Sequence, residues 1–206
     1  MTALQVTALT DFLLASVAFF CAGVLAARPA GRWSAAWYWR IAMGCLALAA
    51  LLGGIDHGFV EPAGLPRGPV QRATWAVLGV MTTAVLLTLG AQFLGPTARR
   101  WLVRLAAVQA AGYAVAMVLT DSYLVVVVNY GPVILALLAF NLHGLGRGTG
   151  SRATAAGIGL LLLASTVQAL RLGSIGPVDH NGLYHLISMP GVALLCLGAR
   201  RLRTQA

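Results

Sequence analysis

The chain has 206 residues, of which 59% are hydrophobic and only 9% charged, with a formal net charge of +9. A soluble domain carries about 25% charged residues, so this composition excludes an ordinary water-soluble globule. At one ~20-residue span plus a short connection per helix, the length holds about seven membrane crossings and no separate soluble domain.

All 14 basic residues are arginine. The lack of lysine excludes a retinal Schiff base of the seven-helix photoreceptor kind, and any lysine-nucleophile enzyme. In a soluble protein the basic excess would suggest nucleic acid. Here it fits loops that face an anionic membrane surface, and no nucleic-acid partner is expected.

Long apolar runs separated by Gly, Pro and Arg clusters predict an all-α bundle of seven transmembrane helices. They form one domain over residues 1–206, with spans at about 8–28, 36–59, 72–95, 101–120, 122–144, 153–174 and 181–200. The runs are continuous rather than alternating, which argues against a membrane barrel. Leu9-Thr10-Asp11 opens the first helix. No basic residue precedes that run and Arg28 and Arg32 follow it, the wrong polarity for a cleaved signal.

The second helix ends in Gly53-Gly54-Ile55-Asp56-His57-Gly58, with Gly58 expected as a C-cap. A carboxylate in the last turn opposes the helix dipole, so Asp56 calls for an arginine partner, a histidine to orient, or a bound cation. Gly53 and Gly54 let a neighbouring helix approach closely. Glu61 follows in the loop, and Asp121 marks the turn between the fourth and fifth helices. The fifth helix is interrupted at Asn129-Tyr130-Gly131-Pro132, where Asn129 can satisfy a freed carbonyl, and it ends at His143-Gly144. Ser165 and Gln168 lie in the outward-going half of the sixth. Asp179 precedes the seventh as a natural N-cap. Within that helix Asn181 and His185, four apart, share a face, and Pro190 predicts a kink just below them. Cys21, Cys45 and Cys196 each fall inside an apolar run, where a free thiol packs as a small hydrophobe.

The arginines set the orientation through the positive-inside bias. One side carries Arg28, Arg32, Arg40, Arg99, Arg100, Arg104, Arg147, Arg152, Arg200, Arg201 and Arg203; the other carries Arg67, Arg72 and Arg171. The N-terminus is thus expected outside and the C-terminus in the cytoplasm, with the protein integral to the cell membrane. All five acids and three of the four histidines, His57, His180 and His185, then fall on the outer side. Ionisable groups in membrane segments usually face the bundle interior or a wet cavity, so the first, second, sixth and seventh helices are expected to build a pocket opening outward. Histidines from two helices with nearby carboxylates have the residue types of a zinc site, although no His-Glu-x-x-His spacing is present.

These residues resemble the seven-helix CREST superfamily, which includes alkaline ceramidases and progestin/adipoQ receptors. More closely, the chain is similar to an uncharacterised group of bacterial seven-helix proteins. The matching segments are Leu9-Thr10-Asp11, Gly53-Gly54-Ile55-Asp56-His57-Gly58 and His180-Asn181-Gly182-Leu183-Tyr184-His185-Leu186-Ile187. The resemblance implies that His57 and His185 are zinc ligands in a hydrolase of lipid amides. The chain departs from the family pattern at Asn181, where a histidine is usual, and at Gly53, where a serine is usual. No acid occurs between Glu61 and the end of the third helix, where the pattern has an Asp. His180 is then the candidate third ligand, and Asp56 or Asp11 the candidate for the missing acid.

Three functions follow from this reading. In the first, His57, His185 and His180 bind zinc. Asp56 or Asp11 orients or deprotonates the metal-bound water, which attacks a lipid amide or ester at the outer leaflet. In the second, the same cluster, with Asn181, Ser165 and Gln168, lines a non-catalytic pocket for a lipid or small ligand, as in a binding or sensor protein. The third, a transporter, predicts inverted repeats and broken, charged helices near the midplane; the sequence has no repeats and its charges gather at the ends.

Overall fold

The computed structural model describes residues 1–202; Arg203 and the three residues after it lie outside the described residues. Seven helices carry the chain: α1 Ala3–Ala26, α2 Ala35–Ile55, α3 Gly68–Phe93, α4 Pro96–Leu119, α5 Leu124–Gly144, α6 Arg152–Ala169 and α7 His180–Arg200. All seven are long and apolar enough to cross a membrane.

Their ends follow from local chemistry. Thr2 caps α1 in a capping box with Gln5, which satisfies two orphan amides and starts the helix five residues earlier than the apolar run predicts. Asp11 therefore does not open α1 but sits about 12 Å along it, at 1.5 Å per residue. Ser34 and Ser151 cap α2 and α6, and proline occupies the first turn of α3 and of α4. The sixth helix stops at Ala169, short of the expected 174, where Arg171 and Gly173 turn left-handed at φ 51° and 77°. Both α5 and α7 run continuously through Pro132 and Pro190.

The second helix does not end on Gly58. After Ile55 the chain widens into a π turn over Asp56–Val60, closed by the Glu61 amide on the Asp56 carbonyl at 2.8 Å. Gly58 stays inside this turn, packed close to Ala8. A π turn carries one extra residue per hydrogen bond, so the side chains of Asp56 and His57 leave the helix at angles that a regular α-helix would not give them.

Packing runs in sequence, with α1 against α2 and α7, α2 against α3, and α6 against α7; α4 sits outside on α3 and, more weakly, α5. The core is made of small and branched residues such as Ala18, Ala47, Leu137, Ile158 and Val192, none of them exposed. A Cβ on Gly157 would come within 2.7 Å of the Gly191 carbonyl, so α6 and α7 touch backbone to backbone there. The outer surface is apolar in turn. Phe20, Val108, Val118 and Leu119 are each at least 69% exposed, a surface suited to hydrocarbon rather than water. Cys21 and Cys196 are buried and unbridged, with the Cys196 thiol against the Cys21 carbonyl.

Candidate functional site

At the acidic end of the bundle, α1 presents Thr7, Thr10 and Asp11 on one face, the i, i+3, i+4 spacing of a single helical stripe. All three are buried, with Asp11 only 4% exposed. The stripe meets α7 at His185, itself buried. The His185 Nε2 lies 3.0 Å from Asp11 Oδ1, and its Nδ1 lies 3.0 Å from Thr10 Oγ1.

The donors can be counted. Thr10 has one hydroxyl hydrogen and gives it to the Thr7 carbonyl at 2.9 Å. It must then accept from His185, so Nδ1 carries a hydrogen. One proton is left between Nε2 and Asp11 Oδ1, and the ring has no free lone pair while this network stands. Asp11 Oδ2 and the hydroxyl of buried Ser188, one turn further along α7, have no partner among the described residues. On the third side α2 supplies Gly53: a Cβ there would stand 2.9 Å from Asp11 Oδ1. Glycine at this position thus makes room for the Asp11 carboxyl.

One turn outward, the π turn builds a second cluster. Arg67 grips the buried Asp56 through two bonds from Nε, at 3.0 and 3.1 Å, and one from NH2 at 2.7 Å. Its NH1 meets Glu61 at 2.9 Å, and the other Glu61 oxygen holds His57 Nδ1 at 3.0 Å. The hydrogen bond to Asp56 holds the Arg67 guanidinium above its ordinary pKa. Of the three reasons Asp56 could have for its place, the arginine partner is the one found.

The α7 entrance is organised by Asp179, which caps the helix through the Asn181 and Gly182 amides and accepts from Thr7 Oγ1 at 3.2 Å. Gln168 donates to Asn181 Oδ1 at 3.2 Å, tying α6 to α7. His180 is the first residue of α7 and half-buried, and Ser165 is half-buried on α6. Asn129 serves α4 rather than a freed carbonyl, since both its carbonyl and its amide oxygen accept from Gln109.

The four helices expected to meet do so, but the three histidines do not share one centre. Among the described residues no three His, Cys, Asp or Glu side chains are placed to hold a metal ion. Both nitrogens of His185 are committed within this network, so as placed that histidine offers a zinc ion no lone pair. Zinc needs neutral imidazoles with a lone pair aimed at one point. Thr7, Arg67 and Ser188 join the site without belonging to any of the motifs that mark it in the sequence. The Thr7-Thr10-Asp11 stripe was the available signal for the first. Arg67 is one of only three arginines expected at the acidic end.

No curated protein and no solved structure matches the chain. A family model does match, over residues 6–204. The chain therefore belongs to DUF6962, a family of unknown function.

Proposed function

We propose that this is a cell-membrane protein with its N-terminus outside and its arginine-rich end in the cytoplasm. At its outer side it binds a small ligand or lipid headgroup that carries a hydrogen-bond donor, without a metal and without hydrolysing it. The orientation is supported by the 11-to-3 division of arginines. The binding reading rests on one observation: Asp11 Oδ2 is a buried acceptor with no partner among the described residues. Leaving such a group unpaired costs about 1–3 kcal/mol, which a donor-bearing ligand recovers.

The Arg67 clasp over Asp56, Glu61 and His57 is the cover in this reading, set on a π turn, a feature frequent at functional sites. The resemblance to CREST proteins extends to topology and to the positions of His57 and His185, with the metal centre degenerate. A zinc hydrolase would need His185 to give up its bonds to Asp11 and Thr10 first.

The test is metal analysis of the purified chain, combined with thermal unfolding in phosphatidylethanolamine or phosphatidylcholine. The ethanolamine ammonium donates hydrogen bonds and the choline group does not. We expect zinc far below one per chain and a higher Tm in the ethanolamine lipid, the difference vanishing in Asp11→Ala. Stoichiometric zinc that is lost in His57→Ala and His185→Ala would instead establish the metal site that a hydrolase needs, and equal Tm values in the two lipids would refute the headgroup as the ligand.

A further inference from the structure

A groove of about 440 Å³ runs between α2, α3 and α4, from the arginine end of the bundle past its middle. Its walls are apolar and include Ile41, Val80, Leu87 and Met117. The α3 wall from Ala76 to Leu87 is about 17 Å long and centred near the middle of α3, so an acyl chain entering beside Trp33 and Trp37 would reach past the bilayer midplane. The groove is open sideways, where Val80 is 54% exposed.

Its arginine end is built differently. Trp33 and Trp37 close it, their rings edge to face at 4.8 Å. Trp33 stands at φ 66°, a left-handed conformation that a bulky residue keeps only where its surroundings impose it. Those surroundings are two arginines. The Arg32 guanidinium lies 4.6 Å over the Trp33 ring, and Arg99, from the first turn of α4, donates to the Trp33 carbonyl. Arg99 uses one of five donors there, and among the described residues no other acceptor takes the rest, which can serve an anion. The fourth helix starts at Pro96 without a side-chain cap, so its open amides and positive dipole end face the same layer. No Asp or Glu of the chain lies at this end, because all five are at the other.

We propose that this groove binds one anionic phospholipid of the cytoplasmic leaflet. An acyl chain lies between α2, α3 and α4, and the phosphate is held by Arg32 and Arg99 beside Trp33. A neutral lipid would need only the apolar walls; the paired arginines without a carboxylate add the preference for negative charge. This inference rests on the membrane reading above but not on the outer polar site.

The experiment reconstitutes the full chain in vesicles of equal phosphatidylglycerol and phosphatidylcholine, extracts it in mild detergent, and identifies the retained lipid by native mass spectrometry. Two arginines near the headgroups correspond to about 30-fold preference for phosphatidylglycerol, about 2 kcal/mol at 1.4 kcal/mol per tenfold. The double variant Arg32→Gln/Arg99→Gln should fall to near parity, and Arg32→Lys/Arg99→Lys should keep most of the preference. Thr83→Phe, which fills the groove, should lose the retained lipid with its helicity unchanged.

Equal retention of the two lipids by the wild type overturns the proposal, as does an undiminished preference in the Gln variant. Should the Gln variant fail to fold, quenching of wild-type tryptophan fluorescence by brominated lipids decides: stronger quenching by the phosphatidylglycerol form supports the site, and equal quenching overturns it. A chain that does not float with the vesicles overturns the membrane reading as well, and so is told apart from a failure of the groove alone.

Discussion

Gly53→Ala offers the sharpest test of the buried dyad. The new Cβ would stand 2.9 Å from Asp11 Oδ1 and 3.3 Å from Oδ2, where ordinary contact begins near 3.4 Å. Asp11 must retreat by about half an ångström, which stretches its 3.0 Å bond to His185 to the edge of hydrogen bonding. Leaving a buried polar group unpaired costs about 1–3 kcal/mol. Against that, alanine gains about 1 kcal/mol over glycine inside a helix. The net effect is a loss of up to about 2 kcal/mol.

In an Asp11→Ala background the obstacle is gone, so the same Gly53→Ala change should reverse sign and stabilise by up to about 1 kcal/mol. Four proteins suffice, unfolded in detergent by SDS titration and followed by circular dichroism, with the coupling read from the double-mutant cycle. Equal destabilisation by Gly53→Ala in both backgrounds would refute the reasoning, because the space beside Gly53 would then not be set by the Asp11 carboxyl.

Removing the clasp should also be costly. Arg67→Gln leaves the buried Asp56 without its paired guanidinium, and a loss of about 1–3 kcal/mol is expected in the same unfolding assay. Because Asp56 raises the Arg67 pKa, stability from this charge is fully present below the unfolded arginine value and is lost only as pH rises beyond it. Unfolding of the wild type between about pH 7 and 10 should therefore show no decline attributable to Arg67. The α6–α7 crossing gives a paired test. Gly157→Ala meets the Gly191 carbonyl at 2.7 Å and should destabilise by about 1–3 kcal/mol, whereas Gly159→Ala has open space around it and should be neutral or stabilising by up to about 1 kcal/mol. Equal effects at the two glycines would contradict the backbone contact between α6 and α7.

Much of the site's membership was legible in the amino-acid order. Asp11, Asp56, His57, Asn181 and His185 fall on the acidic end simply because each lies near the same end of its apolar run, and Asp179 reads as an N-cap from its place before α7. Their partnerships were not legible. His185 lies 175 residues from Thr10, and nothing in either segment specifies which of its ring nitrogens the threonine receives. His57 follows Asp56 directly, yet the π turn sends it to Glu61 while Asp56 goes to Arg67.

Seven apolar helices and the segregation of all five acids from most of the arginines follow from the order of residues alone, because span length and charge placement are properties read along one dimension. The tertiary structure decided which polar groups meet. That depends on the rotation of each helix about its axis, and rotation is fixed by contacts between distant segments: the Asp11 carboxyl against Gly53, and the Gly157 backbone against Gly191. The same rotations leave Asp11 Oδ2 without a partner among the described residues, commit both nitrogens of His185, and bring Arg32 and Arg99 together on Trp33.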